Sequence, residues 1–185
     1  MSQENVVREQ EGLRRFLRKK ESWRKYFMKA ALVLVVILLA GTAFASRYSI
    51  VGDPQEVRCI PGYTVYLLDR KNTTPVRGEL YAFKSKDLSP IYGKGTEMLK
   101  YLRAIPGDVV EVRENNQVFI NGKPSVMGLG LAEEKLGQPA NNFYGKTTLG
   151  ENQYWFLGTS PESFDSRYWG AVTGESIVGR AYPLF

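Results

Sequence analysis

The sequence predicts a mostly β domain that follows a single N-terminal transmembrane helix. An uncharged apolar run, Ala30 to Ala45, lies between Lys29 and Arg47, and short β-like runs separated by Gly, Pro and Asn follow it. The chain has 185 residues, of which 43% are hydrophobic, which is enough for one modest domain and an appendage. We therefore expect a basic tail (1–29), a transmembrane anchor (30–46) and a β domain (47–185).

The positive charge is concentrated before the apolar run. The formal net charge is +6, and the first 29 residues hold nine of the 25 Lys and Arg, against four Glu. The rest of the chain is nearly balanced, with 16 basic and 15 acidic side chains. This distribution argues against a nucleic-acid partner and favours contact with membrane lipid. By the positive-inside rule we expect a single-pass membrane protein with a cytoplasmic N-terminus and an exported C-terminal domain.

The apolar run has a second interpretation. Ala43-Phe44-Ala45 has the small-x-small form of a leader cleavage site, so the run could be a cleaved secretory signal. A charged segment of 29 residues is long for a leader, and Trp23, Tyr26 and Phe27 suit the interface of a membrane anchor. The basic segment from Leu13 to Phe27 is either a helix on the inner leaflet or a solvated tail.

Seven short runs after Arg47 have the composition of β-strands. They are Thr64–Leu68, Glu79–Phe83, Met98–Ile105, Asp108–Arg113, Gln117–Ile120, Tyr154–Leu157 and Ser176–Tyr182. The segment Glu114-Asn115-Asn116 predicts a hairpin between the fourth and fifth runs, and Asn121-Gly122 predicts a second turn. Residues 128–150 show no sustained period, so we expect a surface excursion there, with a helical turn near Leu131 to Leu136.

Two absences limit the chemistry. The chain has no histidine, which excludes Ser-His-Asp and Cys-His centres and any zinc site that needs histidine. An acid or base must therefore be Lys, Tyr or a carboxylate. The single cysteine cannot form an intramolecular disulfide, and it is either buried and inert or kept for its reactivity. The sequence implies no metal or organic cofactor.

Lys100 lies in a strand where its side chain interrupts an apolar face. Alternation places it on the same face as Met98, Leu102 and Ala104, with Arg103 on the opposite face. Burying an ammonium is costly, and burial favours the neutral amine that can accept a proton. Lys100 is therefore a candidate general base. The alternative is an edge-strand lysine whose stem lies on the surface.

Two other segments hold candidate functional residues. Cys59 precedes Pro61-Gly62, and such a turn can present a thiol and nearby backbone N–H groups to a substrate. Taken alone, a cysteine there is more often a small buried hydrophobe. The segment from Gly158 to Gly170 is rich in short polar side chains, and Asp165 can pair with Arg167 to lock the loop. Its simpler interpretation is a turn with a surface ion pair of little energetic value.

The order and wording of these segments resemble the signal peptidase I family, peptidase S26. Lys100 to Asp108 (KYLRAIPGD), with the strand after it, looks like the family's box around the general-base lysine. Ser163 to Gly170 (SFDSRYWG) is similar to its S-x-D-S-R-x-x-G box, and Cys59-Ile60-Pro61 lies where its nucleophile box stands. The short domain and the S-F-D-S-R-Y wording look closest to the conjugative-transfer branch, the TraF-type peptidases that mature pilin precursors.

The resemblance implies a signal-peptidase-like antiparallel β domain and a role for each residue. Cys59 would be the nucleophile, Lys100 the general base, and Ser163 would hydrogen-bond and orient Lys100. Asp165 and Arg167 would form a structural ion pair behind them. The backbone N–H of Cys59 would be one oxyanion donor, with a second donor expected at Val57. The implied partners are an exported pilin-like precursor and a conjugative secretion apparatus, and small residues are expected one and three positions before the cut.

The departures from the family pattern leave alternatives open. The family's nucleophile is serine, whereas this chain has Cys59, and the Gly-Asp-Asn opening of the last box reads Gly158-Thr159-Ser160. An unperturbed thiol has a pKa of about 8.5 and a lysine about 10.4, so a thiolate-ammonium resting pair is one hypothesis. Acylation of a thiol gives a thioester, which favours attack by amines, so transfer to an amine that closes a pilin into a ring is another. A catalytically inactive assembly subunit and a non-enzymatic tethered β domain are the competing interpretations.

Overall fold

The computed structural model describes residues 22–53 and 58–185, and the chain divides into two compact units between Ser46 and Arg47. Helix α1 (Trp23–Arg47) has 25 residues, none of them buried within the protein. At a rise of 1.5 Å per residue it is roughly 37 Å long, more than the hydrocarbon core of about 30 Å. By length and composition it is apolar enough to cross a membrane. The segment before residue 22 lies outside the described residues, so the proposed inner-leaflet helix is not covered.

The N-terminal end of α1 carries a group of aromatic side chains. The rings of Trp23, Tyr26 and Phe27 contact one another, with centroids 5.7 to 6.2 Å apart. Aromatic rings at the end of an apolar helix are typical of a membrane interface. The helix begins earlier than the apolar run predicts because lysines and arginines are good helix formers and extend the run towards its N-terminus.

The second unit is mostly antiparallel β structure, as predicted. Its described strands are β1 (Tyr48–Gly52), β2 (Val65–Asp69), β3 (Leu80–Lys84), β4 (Glu97–Ala104), β5 (Val109–Val112), β6 (Gln117–Ile120), β7 (Lys123–Met127), β8 (Gly145–Thr148), β9 (Gln153–Leu157), β10 (Val172–Thr173) and β11 (Ile177–Pro183). The larger sheet has the order β1-β2-β11-β3-β4-β9-β10, and the smaller has the order β7-β6-β5-β8. Two short helices, α2 (Leu131–Glu134) and α3 (Ser166–Trp169), lie in the connections.

The seven predicted strands are all present, each within one residue of its predicted bounds. The predicted hairpin joins β5 and β6, and Asn121-Gly122 makes the turn between β6 and β7. Asn121 and Gly122 have φ values of 50° and 76°, which is the left-handed region that Asn-Gly favours. The local turn signals were therefore sufficient to place this part of the smaller sheet.

Strands β1, β7, β8 and β10 were not predicted. Each lies at the edge of its sheet, and all four residues of β8 are exposed. An edge strand has a partner on one side and can face solvent on both faces, so it needs no apolar alternation. The backbone pairing, rather than the side-chain pattern, decides that these segments are strands.

The prediction of a surface excursion for residues 128–150 is wrong in part. The predicted helical turn is present as α2, but Leu129, Leu131, Ala132 and Leu149 are buried. Leu129, Ala132 and Leu149 pack with residues of β4, β5, β6 and β9 in one hydrophobic cluster. The apolar side chains of the smaller sheet need a cover, and this segment supplies it although its sequence has no period.

Candidate active site

Lys100 is buried on β4, on the face that the alternation predicts. Its side chain is 6% exposed, and Leu102 and Ala104 on the same face are fully buried. On one side β4 pairs with β3, where Tyr81 is opposite Lys100. On the other side β9 pairs with β4 only from Tyr101 onwards. The interpretation as a surface lysine is therefore wrong, although Lys100 does lie beyond the last paired residue of β9.

Cys59 is held in a short connection that precedes β2. The residue is 9% exposed, and the next side chain, Ile60, is buried in the core. Its carbonyl accepts hydrogen bonds from the N–H of Thr159 at 2.9 Å and from the N–H of Ser160 at 3.4 Å. Gly62 follows with φ of 97°, which completes the predicted Pro-Gly turn. The cysteine segment is thus docked on the loop that follows β9, about 100 residues later in the chain.

Gly158 is the residue that allows this close approach. A Cβ atom at Gly158 would lie 2.9 Å from the carbonyl oxygen of Cys59 and would clash with the hydroxyl of Ser163. Real Cβ atoms do not tolerate such contacts, and the neighbours are a backbone carbonyl and a buried side chain. A glycine at this position therefore brings the cysteine segment and the Ser163 loop into contact.

Asp165 and Arg167 form the predicted ion pair, and it is completely buried. The Nε of Arg167 donates to Asp165 Oδ1 at 2.8 Å and its Nη2 donates to Oδ2 at 2.8 Å. Both side chains are 0% exposed. Burial by itself would lower the pKa of Arg167, but the hydrogen bond and charge of Asp165 outweigh it and raise the pKa above its ordinary value. The interpretation as a surface ion pair is wrong.

The remaining hydrogen bonds of the pair fix the loop around it. The Asp165 carboxylate accepts from the N–H of Gly158 at 2.8 Å. The Arg167 guanidinium donates to four backbone carbonyls, those of Gly128, Ser160, Pro161 and Ser163. A buried guanidinium with its donors used in this way is a rigid cross-link. It sets the position of Gly158 and Ser163 relative to each other.

The predicted hydrogen bond between Ser163 and Lys100 is not formed. Ser163 is 0% exposed, and its Oγ has no hydrogen-bond partner. Within the described ranges, no hydrogen bond or ion pair to the Lys100 ammonium is recorded either. A buried hydroxyl without a partner is uncommon, since it loses its hydrogen bonds to water.

Cys59 and Lys100 line the same cleft, which has a volume of about 650 Å³. Tyr66 also lines it, and burial raises the pKa of this phenol to about 12. Its hydroxyl donates to the carbonyl of Tyr63 at 3.2 Å. A phenol that stays protonated near neutral pH cannot serve as the base. Of the carboxylates that line the cleft, Glu134 and Glu162 are exposed and Asp53 is half-buried, whereas Lys100 is a buried basic group.

Two unpaired backbone edges border the cleft. Strand β1 pairs only with β2, and its last residues, Val51 and Gly52, line the cleft. The first half of β4, from Glu97 to Lys100, pairs with β3 but extends past β9, and it lines the cleft as well. Unpaired strand edges offer backbone donors and acceptors to an extended peptide.

Some site residues were not predicted from the sequence. Tyr66 and Tyr92 have no motif or period that marks them, and the segment that contains Gly158 and Phe164 was marked for its polar side chains and not for these two residues. The Gly158-Thr159-Ser160 departure was noticed, but the need for glycine follows only from the packing. Val57, the expected second oxyanion donor, lies outside the described residues. Across 22–53 and 58–185, no group of three or more His, Cys, Asp or Glu could hold a metal ion.

Comparisons with known proteins give consistent similarities. A family model described as "Signal peptidase, peptidase S26" matches residues 23–185. The probable signal peptidase I-2 of Synechocystis sp. is 34% identical over 112 residues, which are 60% of this chain and 48% of that protein. Signal peptidase I of Pseudomonas fluorescens is 26% identical over 144 residues, covering 60% of this chain and 49% of that protein. The chain spans about half the length of the curated relatives it matches.

A solved structure is similar as well. The crystal structure of a signal peptidase I from Enterococcus faecalis V583 has 31% sequence identity to this chain, with a TM-score of 0.36. The similarity covers 58% of this chain and 96% of that one.

Proposed function

The chain belongs to the signal peptidase family, peptidase S26, and from this we propose that it is a membrane-anchored endopeptidase that removes leader peptides from exported precursors. The observation that carries the proposal is one cleft lined by both a lone cysteine and a buried lysine. A nucleophile and a base must share a site to act on one peptide bond.

In the proposed mechanism, the Cys59 sulfur attacks the scissile carbonyl carbon and Lys100 takes the thiol proton. The carbon–nitrogen bond then breaks, and Lys100 returns the proton to the departing amine. The leader remains attached to Cys59 as a thioester. Water attacks this thioester with Lys100 again accepting a proton, and the leader leaves as a carboxylate while the thiol is regenerated.

The surrounding groups support this chemistry in distinct ways. The backbone N–H of Cys59 is proposed as one oxyanion donor, in agreement with the family pattern. The unpartnered hydroxyl of Ser163 is proposed as a positioning group for Lys100, reached when a substrate or water completes the site. The buried Asp165–Arg167 pair keeps this loop against the cysteine segment. The free edges of β1 and β4 would bind the precursor as an extended strand.

The substrate that we propose is a pilin precursor of a conjugative transfer system. The S-F-D-S-R-Y wording and the short domain support this, because they look closest to the TraF-type branch. Cysteine in place of serine supports a second activity at a cut on the C-terminal side of the pilin, where Cys59 would hold the pilin itself as a thioester. The N-terminal amine of the pilin would attack the acyl carbon, the new amide bond would form there, and Cys59 would leave as a thiol. The expected product is a cyclised pilin, and a linear leaderless product alone would overturn this part of the proposal.

The proposed location is the bacterial inner membrane. Helix α1 is long and apolar enough to span it, and nine basic residues lie in the first 29 positions. The positive-inside rule then supports a cytoplasmic N-terminus and a periplasmic active site, where exported precursors carry their leaders. The second candidate function is an inactive subunit that anchors an assembly. The exchange of serine for cysteine favours it, and the buried lysine in the cleft argues against it.

The test is cleavage of a pilin-type precursor by the full chain in detergent, with variants Cys59→Ala, Cys59→Ser and Lys100→Met. We expect leaderless product from the natural sequence, and a loss of about 10³-fold or more in Cys59→Ala and Lys100→Met. Lys84→Met is the matched control, because Lys84 is an exposed lysine on the neighbouring strand β3. Full activity in Cys59→Ala would overturn the assignment of the nucleophile.

Alkylation separates the enzyme from the inactive subunit without a substrate. The chain has one cysteine, so the rate of thiol modification reports on Cys59 alone. If the two side chains work together, Lys100→Met lowers the rate of Cys59 alkylation in the folded protein, whereas Lys84→Met does not. A thiol that reacts only after unfolding, with no effect of Lys100, would support the inactive-subunit function.

A further inference from the structure

The cleft has an aromatic side built from two loops that are far apart in sequence. Tyr92, between β3 and β4, and Phe164, in the loop before α3, both line the cleft together with Cys59 and Lys100. Their rings stack with centroids 5.8 Å apart and an interplanar angle of 29°. Neither residue belongs to the proposed chemistry, and the sequence analysis predicted no role for either, although Phe164 lies in the SFDSRYWG segment.

Further rings brace this side of the cleft from behind. Phe164 also stacks on Tyr168, with centroids 5.6 Å apart and an angle of 27°, and Tyr168 meets Phe143 edge to face at 5.1 Å. The hydroxyl of Tyr168 accepts a hydrogen bond from the N–H of Leu131 at 3.1 Å, and Leu131 is another cleft residue. Each aromatic pair adds about 0.5–1.5 kcal/mol beyond simple burial. These four stacked or edge-to-face rings, Tyr92, Phe164, Tyr168 and Phe143, therefore resist displacement by a substrate side chain.

The backbone on either side of Phe164 is equally fixed. Ser163 and Asp165 are both fully buried, and the Arg167 guanidinium binds the carboxylate of Asp165 and the carbonyl of Ser163. Tyr92 is held at the other loop by reciprocal backbone hydrogen bonds with Leu88, at 3.0 and 3.2 Å. A wall with a rigid backbone and interlocked rings cannot move back to admit a larger group.

Stacking also decides what kind of wall Phe164 makes. Its ring already stacks on two tyrosines, so its faces are engaged within the protein. A ring face that is already stacked on a tyrosine of the protein cannot also stack on an aromatic side chain of the substrate. The ring can therefore limit the volume of the cleft, but it does not offer a binding platform for aromatic groups.

We propose that Phe164, supported by Tyr92, is a specificity-determining residue that limits the substrate side chains near the scissile bond to small ones. This inference rests on the proposed peptidase function. It assigns the size limit to a ring stack between two loops, so the limit can be changed without altering the nucleophile or the base. A hydrophobic pocket discriminates by about 10- to 200-fold for each methylene group, which sets the expected scale.

The experiment compares kcat/KM for synthetic leader peptides that carry Ala or Leu at the first or third position before the cut, with the full chain in detergent. We expect the natural sequence to prefer Ala, and this Ala-to-Leu ratio to fall at least about tenfold in Phe164→Ala at one of the two positions. Tyr92→Ala should lower the ratio in the same direction by a smaller factor. Phe164→Leu, which keeps an apolar group in place, should give an intermediate ratio and serves if Phe164→Ala does not fold.

Phe119→Ala is the matched control, because Phe119 is also half-buried but lies in the smaller sheet, away from the cleft and the ring row. The Ala-to-Leu ratio of kcat/KM for Phe119→Ala should equal that of the natural sequence. An active natural enzyme whose ratio is unchanged in the Phe164 and Tyr92 variants would overturn the inference and leave the peptidase function intact. A natural sequence that cleaves none of the peptides would overturn both.

Discussion

Replacement of Arg167 by methionine should destabilise the β domain strongly, because it leaves a buried carboxylate without its counter-charge. Asp165 is 0% exposed and would keep only backbone donors, the N–H groups of Gly158 and residue 167. Four backbone carbonyls would also lose the guanidinium as donor. Removing one partner of a buried ion pair costs about 3–5 kcal/mol, against a total stability of about 5–15 kcal/mol for a typical domain.

This cost can be measured as a change in Tm. For a domain of this size, 1 kcal/mol corresponds to roughly 3–4 °C, so Arg167→Met should lower Tm by about 10–20 °C. The assay is thermal unfolding of the full chain in detergent, followed by the fluorescence of Trp155 and Trp169 in the β domain. The Tm of Arg167→Lys should lie between that of the natural sequence and that of Arg167→Met. The lysine ammonium restores the positive charge, but it cannot donate two parallel hydrogen bonds to the carboxylate as the guanidinium does.

The control is Arg70→Met, which removes a comparable but exposed ion pair. Arg70 and Glu97 are 41% and 40% exposed, and such pairs contribute about 0.5 kcal/mol or less. A loss below about 1 kcal/mol for Arg167→Met, equal to that of Arg70→Met, would refute the argument that the buried pair holds the loop.

Two further predictions concern the packing of the site and its response to pH. Gly158→Ala should abolish peptide cleavage and lower Tm, because the added Cβ would lie 2.9 Å from the carbonyl oxygen of Cys59; unchanged cleavage would show that the two segments can separate without loss. At Asp108, burial raises the pKa, but hydrogen bonds from Arg77, from a backbone N–H and from a side-chain amide outweigh it and hold the pKa below its usual range. A lowered folded pKa stabilises the fold above about pH 4 and is lost as the pH falls through the folded value, so the stability gap between the natural sequence and Asp108→Asn should be widest near neutral pH and shrink in acid. A gap that stays constant in urea titrations from pH 7 to pH 3 would contradict this assignment.

Much of the fold could be predicted because local patterns determine it. A period of two along β4 was enough to place Lys100 on the same face as Leu102 and Ala104, since successive strand side chains must point to opposite faces. It did not show that Lys100 itself is buried. The Asn-Gly pair at 121 and 122 was enough to place a tight turn, because few other residues adopt its left-handed backbone. The apolar run was enough to predict α1, although charged residues extend the helix beyond that run.

The site depends instead on contacts between segments that are distant in sequence. Nothing near Cys59 indicates that its carbonyl is bound by the loop about 100 residues later, or that Gly158 must lack a side chain for this contact. Likewise, the spacing of Asp165 and Arg167 permits an ion pair, but only the surrounding carbonyls show that it is buried and fully bonded. The sequence by itself therefore determined the strands, the turns and the face of Lys100, because each depends on neighbours a few residues apart. Tertiary structure alone decided that Cys59 shares a cleft with Lys100 and that Phe164 forms its aromatic wall, because long-range packing and pairing have no local sequence signal.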